Sequence, residues 1–242
     1  MKKYYFPEHE ATYQQIKELG LVAWDQFHNP ELYDFDNFMM RPFLEQALNL
    51  ISLDTKTPQA LEYGCGTGTG ACFLAARGFE VEAFDISATA IELAQKNAAE
   101  RGMSISFAVK DITDPITDYR LYDLILDNYC LQSVVTDNDR QQLFANVRQS
   151  LKSSGFYIIA SAVYNPERDY SGSYFDAVTG IVYEQIDIDQ TQYQDSVLIK
   201  NSRWLPNRRH LTAEALRNEL LAADFRIIYQ DGGNLICILK KE

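Results

Sequence analysis

Positive charge is scarce in this 242-residue chain: 22 lysines and arginines stand against 34 aspartates and glutamates, a formal charge of −12. Phosphate contacts supply most nucleic-acid affinity, and the chain has no lysine- or arginine-rich stripe to make them. Nucleic-acid partners are therefore disfavoured, leaving small molecules or proteins. Long apolar runs are missing as well, and nothing approaches the roughly 18–20 apolar residues of a membrane span. Lys2 and Lys3 are followed by no apolar stretch, so the opening residues do not read as a secretory signal. The four cysteines, Cys65, Cys72, Cys130 and Cys237, show no C-x-x-C pair. No zinc or redox site is expected from them, and free thiols in a reducing cytoplasm are the plain reading.

What is present is concentrated in Leu61-Glu62-Tyr63-Gly64-Cys65-Gly66-Thr67-Gly68. An apolar strand ends in an acid and runs into alternating glycines, followed by a helix-compatible stretch from Thr69 to Arg77. Such glycines permit a sharp turn and let a ligand lie against bare N–H groups. A second apolar strand, Phe79 to Phe84, ends in Asp85, where an acid is expected to meet ribose hydroxyls. Loop, helix start and acid together specify an adenosine-containing cofactor. Gly66-Thr67-Gly68-Thr69-Gly70-Ala71 formally satisfies the nicotinamide fingerprint, but that frame leaves Gly64, Cys65 and the acid Glu62 without a role.

Strand and helix patterns alternate from Thr57 onward, which predicts a mostly parallel sheet covered on both faces. Ser87 and Thr212 read as helix N-caps. The alternation breaks at Tyr164. Period-2 segments near 174–178, 181–188 and 193–200 then predict an inserted antiparallel ribbon, with a turn at Thr179-Gly180. Phe225–Tyr229 and Leu235–Leu239 flank Asp231-Gly232-Gly233, a hairpin signal. One helix is expected over Glu8 to His28 and another after Asp36. The chain reads as one α/β domain in four parts: a helical cap (1–52), a cofactor-binding core (57–163), the ribbon (164–211), and a closing helix and hairpin (212–242).

Read from Gly64, the loop resembles motif I of the class I S-adenosylmethionine-dependent methyltransferases. Their fold, a Rossmann-like seven-stranded sheet ending in an antiparallel hairpin, matches the element order over residues 58–163 and 212–240. The resemblance implies that Gly64, Cys65, Gly66 and Gly68 contact the methionine part, with Glu62 near its amino group. It also implies that Asp85 accepts the ribose hydroxyls and Ile86 packs on adenine. Asp111 looks like the third-strand acid that binds the adenine amino group, with Ile112 beside it. Asp127 and Asn128 fall at the fourth-strand tip, next to the sulfonium. The lack of proline in Asp127-Asn128-Tyr129-Cys130 argues against nucleobase-amino methylation. The chain looks most similar to the small-molecule branch, near thiopurine- and tellurite-type enzymes.

The activity implied is direct in-line methyl transfer to a small-molecule acceptor, without a metal. The alternatives are a non-enzymatic S-adenosylmethionine or S-adenosylhomocysteine sensor, and an aminopropyltransferase. Of three histidines, His210 is the candidate base. Trp24 and Tyr129 are candidate acceptor contacts, and Arg208 and Arg209 candidate clamps for an acceptor carboxylate or phosphate. The N-terminal helix and the ribbon are expected to close jointly over the Asp127 tip. The sequence leaves the oligomeric state open.

Overall fold

The computed structural model describes residues 3–116, 120–185 and 195–240. The chain opens with helix α1 (Phe6–Glu18), the short helix α2 (Trp24–His28) and helix α3 (Arg41–Leu50). The single helix expected over Glu8 to His28 is thus two. Gly20, at φ +69°, ends α1 in a left-handed turn in which Leu21 N–H reaches back to the Ile16 carbonyl.

Then come strand β1 (Gln59–Tyr63), helix α4 (Thr69–Ala75), strand β2 (Glu80–Asp85), helix α5 (Ala88–Glu100), strand β3 (Ser106–Val109) and strand β4 (Tyr122–Asn128). A 3-10 turn (Leu131–Ser133), helix α6 (Asp137–Ser150) and strand β5 (Leu151–Ala160) follow. Ser87 caps α5 by accepting from Ala90 N–H, as its position before the apolar repeat predicts.

The next four strands are β6 (Ser173–Asp176), β7 (Ile181–Glu184), β8 (Val197–Ile199) and β9 (Ser202–Arg209). They form a separate antiparallel sheet in the order β6-β7-β9-β8. Gly180, at φ +74°, makes the turn between β6 and β7. The expected ribbon segments reach into residues 186–194, which lie outside the described residues. Strand β9 lies beyond the last of the expected period-2 segments. Its pairing with β7 skips Asn207, so the chain bulges beside Pro206, which has no N–H to donate.

Helix α7 (Ala213–Ala222), capped by Thr212, and the hairpin of β10 (Phe225–Asp231) and β11 (Asn234–Leu239) complete the chain. The main sheet runs β10-β11-β5-β4-β1-β2-β3. Its five core strands pair in parallel, and β11 inserts antiparallel beside β5. Apolar side chains fill both faces. Ile125, Tyr157 and Phe225 pack with Leu143 and Leu216 on one side, and Leu124, Leu126 and Ile158 with Leu44 and Leu74 on the other. This arrangement puts the C-terminal ends of β1, β2, β3 and β4 side by side, where ligands bind in open α/β sheets.

Candidate functional site

The glycine loop leaves β1 with three residues in left-handed geometry: Gly64 at φ +60°, Gly66 at +52° and Gly68 at +86°. A side chain at Gly64 would collide with Cys130, whose Cβ lies 2.6 Å from the position a Gly64 Cβ would take. One at Gly66 would meet the Tyr13 hydroxyl, also at 2.6 Å. Asp85 braces the loop, accepting from Gly66 N–H and Ser87 N–H at 2.9 Å each. Asn97, on α5, donates to the Thr67 carbonyl and to Val22, tying the loop to the N-terminal segment. Burial pushes the Asp85 carboxyl up to about 6, although the Ser87 and Gly66 N–H groups pull the other way.

A cavity of about 980 Å³, including its open mouth, lies against this loop. Its wall brings together Gly64, Cys65, Gly66, Asp85, Ile86, Asp111, Ile112 and Asn128 from the sheet's strand ends, with Trp24, Tyr129 and Arg208 from the expected acceptor side. Gly68 turns away and packs against Ala94 and Phe107. Asp111 accepts from the Tyr5 hydroxyl at 2.6 Å and from Thr113. Tyr129 sits at φ +62°, unusual for a residue with a side chain, at the tip beyond β4.

Two expected contacts lie behind the wall. Asp127 is fully buried and accepts from the Tyr63 hydroxyl and from Cys130 and Leu131 N–H, so it builds the tip and does not face the cavity. Consecutive strand residues point to opposite faces, which is why Asn128 reaches the cavity and Asp127 does not. Glu62 is also fully buried, under the loop against Gly70. Neither of its oxygens makes a hydrogen bond of good geometry. Burial raises its pKa well above the usual carboxylate value. The nearby Ala71 N–H and Asn128 side chain favour the ionised form without offsetting that burial.

An orphaned, fully buried carboxylate beneath a nucleotide-type loop fits a ligand with a cationic amino group close by. The same raised pKa carries a stability prediction. A carboxyl with a raised pKa stabilises the fold while protonated, and that stability is lost as pH rises through its folded pKa. Glu62→Gln, which mimics the protonated form, should therefore raise the melting temperature of the ligand-free protein at pH 8 and change it little at pH 4. Thermal unfolding at the two pH values checks this. Equal effects at both would show that folding does not raise the Glu62 pKa.

His210 and Arg209 lie outside the cavity wall. His210 is buried away from the cavity, within hydrogen-bonding distance of Arg168 and Tyr170. Burial and the two arginines Arg168 and Arg208 lower its pKa to about 4. Arg209 donates to Thr179, Val135 and Asp137, outside the cavity wall. Between Val134 and Arg208 no described residue lines the cavity, so the second sheet reaches it through β9 alone. The N-terminal cap does line it, with Tyr5, His9 and Tyr13 as well as Trp24. The row of residues 5, 9 and 13, spaced four apart, is the helical signal that reveals these contacts. Glu10 and Glu8 pin the helix, to Ser87 and Thr89 and to Arg208 respectively.

Residues 60–155 match the methyltransferase domain family. A ubiquinone biosynthesis O-methyltransferase from Rickettsia conorii is 33% identical over 118 residues, 49% of this chain and 39% of that protein. The chain therefore spans about two fifths of the length of that curated relative. An S-adenosylmethionine-dependent methyltransferase structure from Clostridium acetobutylicum superposes with a TM-score of 0.63 at 16% identity, covering 95% of this chain and 99% of the other. A DhpI–SAH complex gives 0.60 at 15% identity over the whole of both chains. Residues 60–155 thus match a methyltransferase domain model, and the chain shares the fold of solved S-adenosylmethionine-dependent methyltransferase structures.

Proposed function

We propose that the protein is an enzyme that transfers the methyl group of S-adenosylmethionine to a small-molecule acceptor. The observation that carries this reading is the shared wall of the cavity. Glycine loop, Asp85 and Asp111 line it together with Trp24, Tyr129 and Arg208. In this reading Asp85 holds the ribose hydroxyls, Ile86 and Ile112 flank the adenine, and Asp111 receives its amino group. Gly64, Cys65 and Gly66 line the amino-acid end, and the Glu62 carboxyl beneath them ionises as the cationic amino group binds.

The sulfonium supplies an already electrophilic methyl, so the protein's main task is alignment and exclusion of water. Helix α1 serves both, since Tyr13 and the N-cap Tyr5 lie along the strand ends. The net charge of −12 favours no polyanion as acceptor. Among the described residues no helix is long and apolar enough to cross a membrane, and all four cysteines are free. The free thiols support a cytoplasmic setting. The cap, core, ribbon and closing hairpin work as one catalytic unit, because α1 and β9 complete the cavity that the core begins.

The test is formation of S-adenosylhomocysteine from labelled S-adenosylmethionine across a panel of hydroxylated, amino and thiol acceptors. Acceptor-dependent product supports the proposal. Tight binding of both cofactor forms with no turnover on any acceptor class would favour the sensor reading.

A further inference from the structure

Three side chains of α1 and its cap form one row along the cavity. Tyr5, which keeps helical dihedrals at the N-cap, hydrogen-bonds Asp111, and Tyr13 places its hydroxyl over Gly66. His9 lies between them, about 6 Å along the axis from each. If Asp111 marks the adenine end and Gly66 the amino-acid end, as proposed above, His9 stands opposite the middle of the cofactor, the stretch that holds the ribose and the sulfur.

The ring's protonation pattern follows from its partner. His9 Nδ1 lies 2.6 Å from the Tyr5 carbonyl, which can only accept. Nδ1 therefore carries the proton, and in the neutral ring Nε2 is left with a lone pair. The charged groups around the ring are Glu8 on its own helix and Arg208 from β9, ion-paired at 2.7 Å, with Glu184 of β7 beside that pair. Burial first, and then Arg208, lower the His9 pKa, while Glu8 and the Tyr5 carbonyl oppose them, so the ring is neutral near pH 7. Trp24 stacks on it, with centroids 5.7 Å apart and planes 27° from parallel.

We propose that His9 is the general base of this enzyme and that the acceptor is a phenolic hydroxyl on a flat ring held among Trp24, Tyr129 and His9. This rests on the methyltransferase reading above. A neutral imidazole helps only an acceptor that must lose a proton, and phenols match its basicity better than alkyl alcohols do. His9 Nε2 takes the hydroxyl proton as the acceptor oxygen bonds to the methyl carbon. The carbon–sulfur bond breaks with its electron pair remaining on sulfur, giving a neutral thioether. The positive charge passes from sulfonium to imidazolium, beside Glu8, and the proton leaves to solvent from the half-buried ring.

The experiment uses 4-nitrocatechol, whose absorbance reports its ionisation, bound to the full-length protein saturated with S-adenosylhomocysteine. The bound probe should ionise with an apparent pKa about one unit or more below its free value. His9→Gln should abolish that shift while keeping S-adenosylhomocysteine affinity within about a factor of three, a range well under the 1.4 kcal/mol of a tenfold change. A shift retained in His9→Gln would assign the effect to Arg208 and overturn the proposal, as would a wild-type complex that does not bind the probe. Nitrogen NMR of the wild-type imidazole adds a test that needs no variant. It should find Nδ1 protonated and Nε2 bare, and the opposite tautomer would also overturn it. Failure of the wild type to bind S-adenosylhomocysteine would instead defeat the cofactor assignment, and is read separately by calorimetry.

Discussion

Gly64→Ala is expected to weaken S-adenosylhomocysteine binding by about 30-fold to 5,000-fold, that is by about 2–5 kcal/mol. Two costs combine. Left-handed geometry at φ +60° costs a residue with a side chain about 1–2 kcal/mol. The added methyl also overlaps Cys130, at its backbone-proximal Cβ and its sulfur, for about 1–3 kcal/mol more. Neither neighbour can yield without moving the glycine loop or the Tyr129–Cys130 tip, and both are cavity wall. Gly78→Ala is the control. It shares the positive φ, at +87°, but a side chain there meets nothing within 4 Å. It should cost about 1 kcal/mol of stability and leave binding unchanged. Calorimetric titration of both variants checks this, and an affinity for Gly64→Ala within a factor of three of wild type would count against the loop as the binding element.

The largest effect on stability is expected at Arg140. Its side chain is 3% exposed and makes a fork to Glu219, with both contacts at 2.6 Å. It also donates to the Leu131 and Val134 carbonyls at 2.8 Å. One guanidinium thus joins α6, α7 and the turn that carries Gln132, Ser133 and Val134 to the cavity. Arg140→Met removes the buried cation that Glu219 pairs with and the side-chain donor to both carbonyls, and should cost about 3–5 kcal/mol. Urea denaturation should read this as a lower midpoint at an unchanged slope. Arg140→Lys should recover only part of the loss, because an ammonium cannot serve a planar fork and two carbonyls at once. A loss below about 1 kcal/mol for Arg140→Met would mean that water replaces these contacts.

The main sheet was readable because its signals are local. Apolar strands with acids at their ends, Ser87 and Thr212 at helix starts, and the turn at Gly232 each announce an element without help from tertiary contacts. Strand β9 was not, since Pro206 and three arginines imitate a loop. Only the bulge at Asn207 and pairing with β7 make it a strand. Its character also separates the two candidate arginines: in alternating geometry Arg208 and Arg209 face opposite sides, so the cavity receives one of them.

Within the site, loop and strand-end residues were legible from motif spacing, whereas burial depth was not. Glu62 and Asp127 lie at the ends of apolar strands, just as Asp85 does, yet only Asp85 reaches the wall. Which side of a strand end faces a ligand depends on the packing of α4 and on the tip beyond β4. His9 was passed over for His210 because a lone histidine has no sequence context. Its place emerges only when α1 folds across the strand ends. Trp24 lines the cavity, but Tyr164 and Tyr170 stack on Phe175 in the second sheet.

The central claim, that this cavity holds S-adenosylmethionine by its ribose at Asp85, is tested most directly by calorimetry on wild type and Asp85→Ala. S-adenosylhomocysteine should bind wild type at one site per chain, and NAD should not bind. Asp85→Ala should weaken S-adenosylhomocysteine by at least about 1.5–3 kcal/mol, the range for hydrogen bonds to a charged group. The loss of its support to Gly66 N–H can only add to that. Preference for NAD, or an Asp85→Ala affinity equal to that of wild type, would contradict the account.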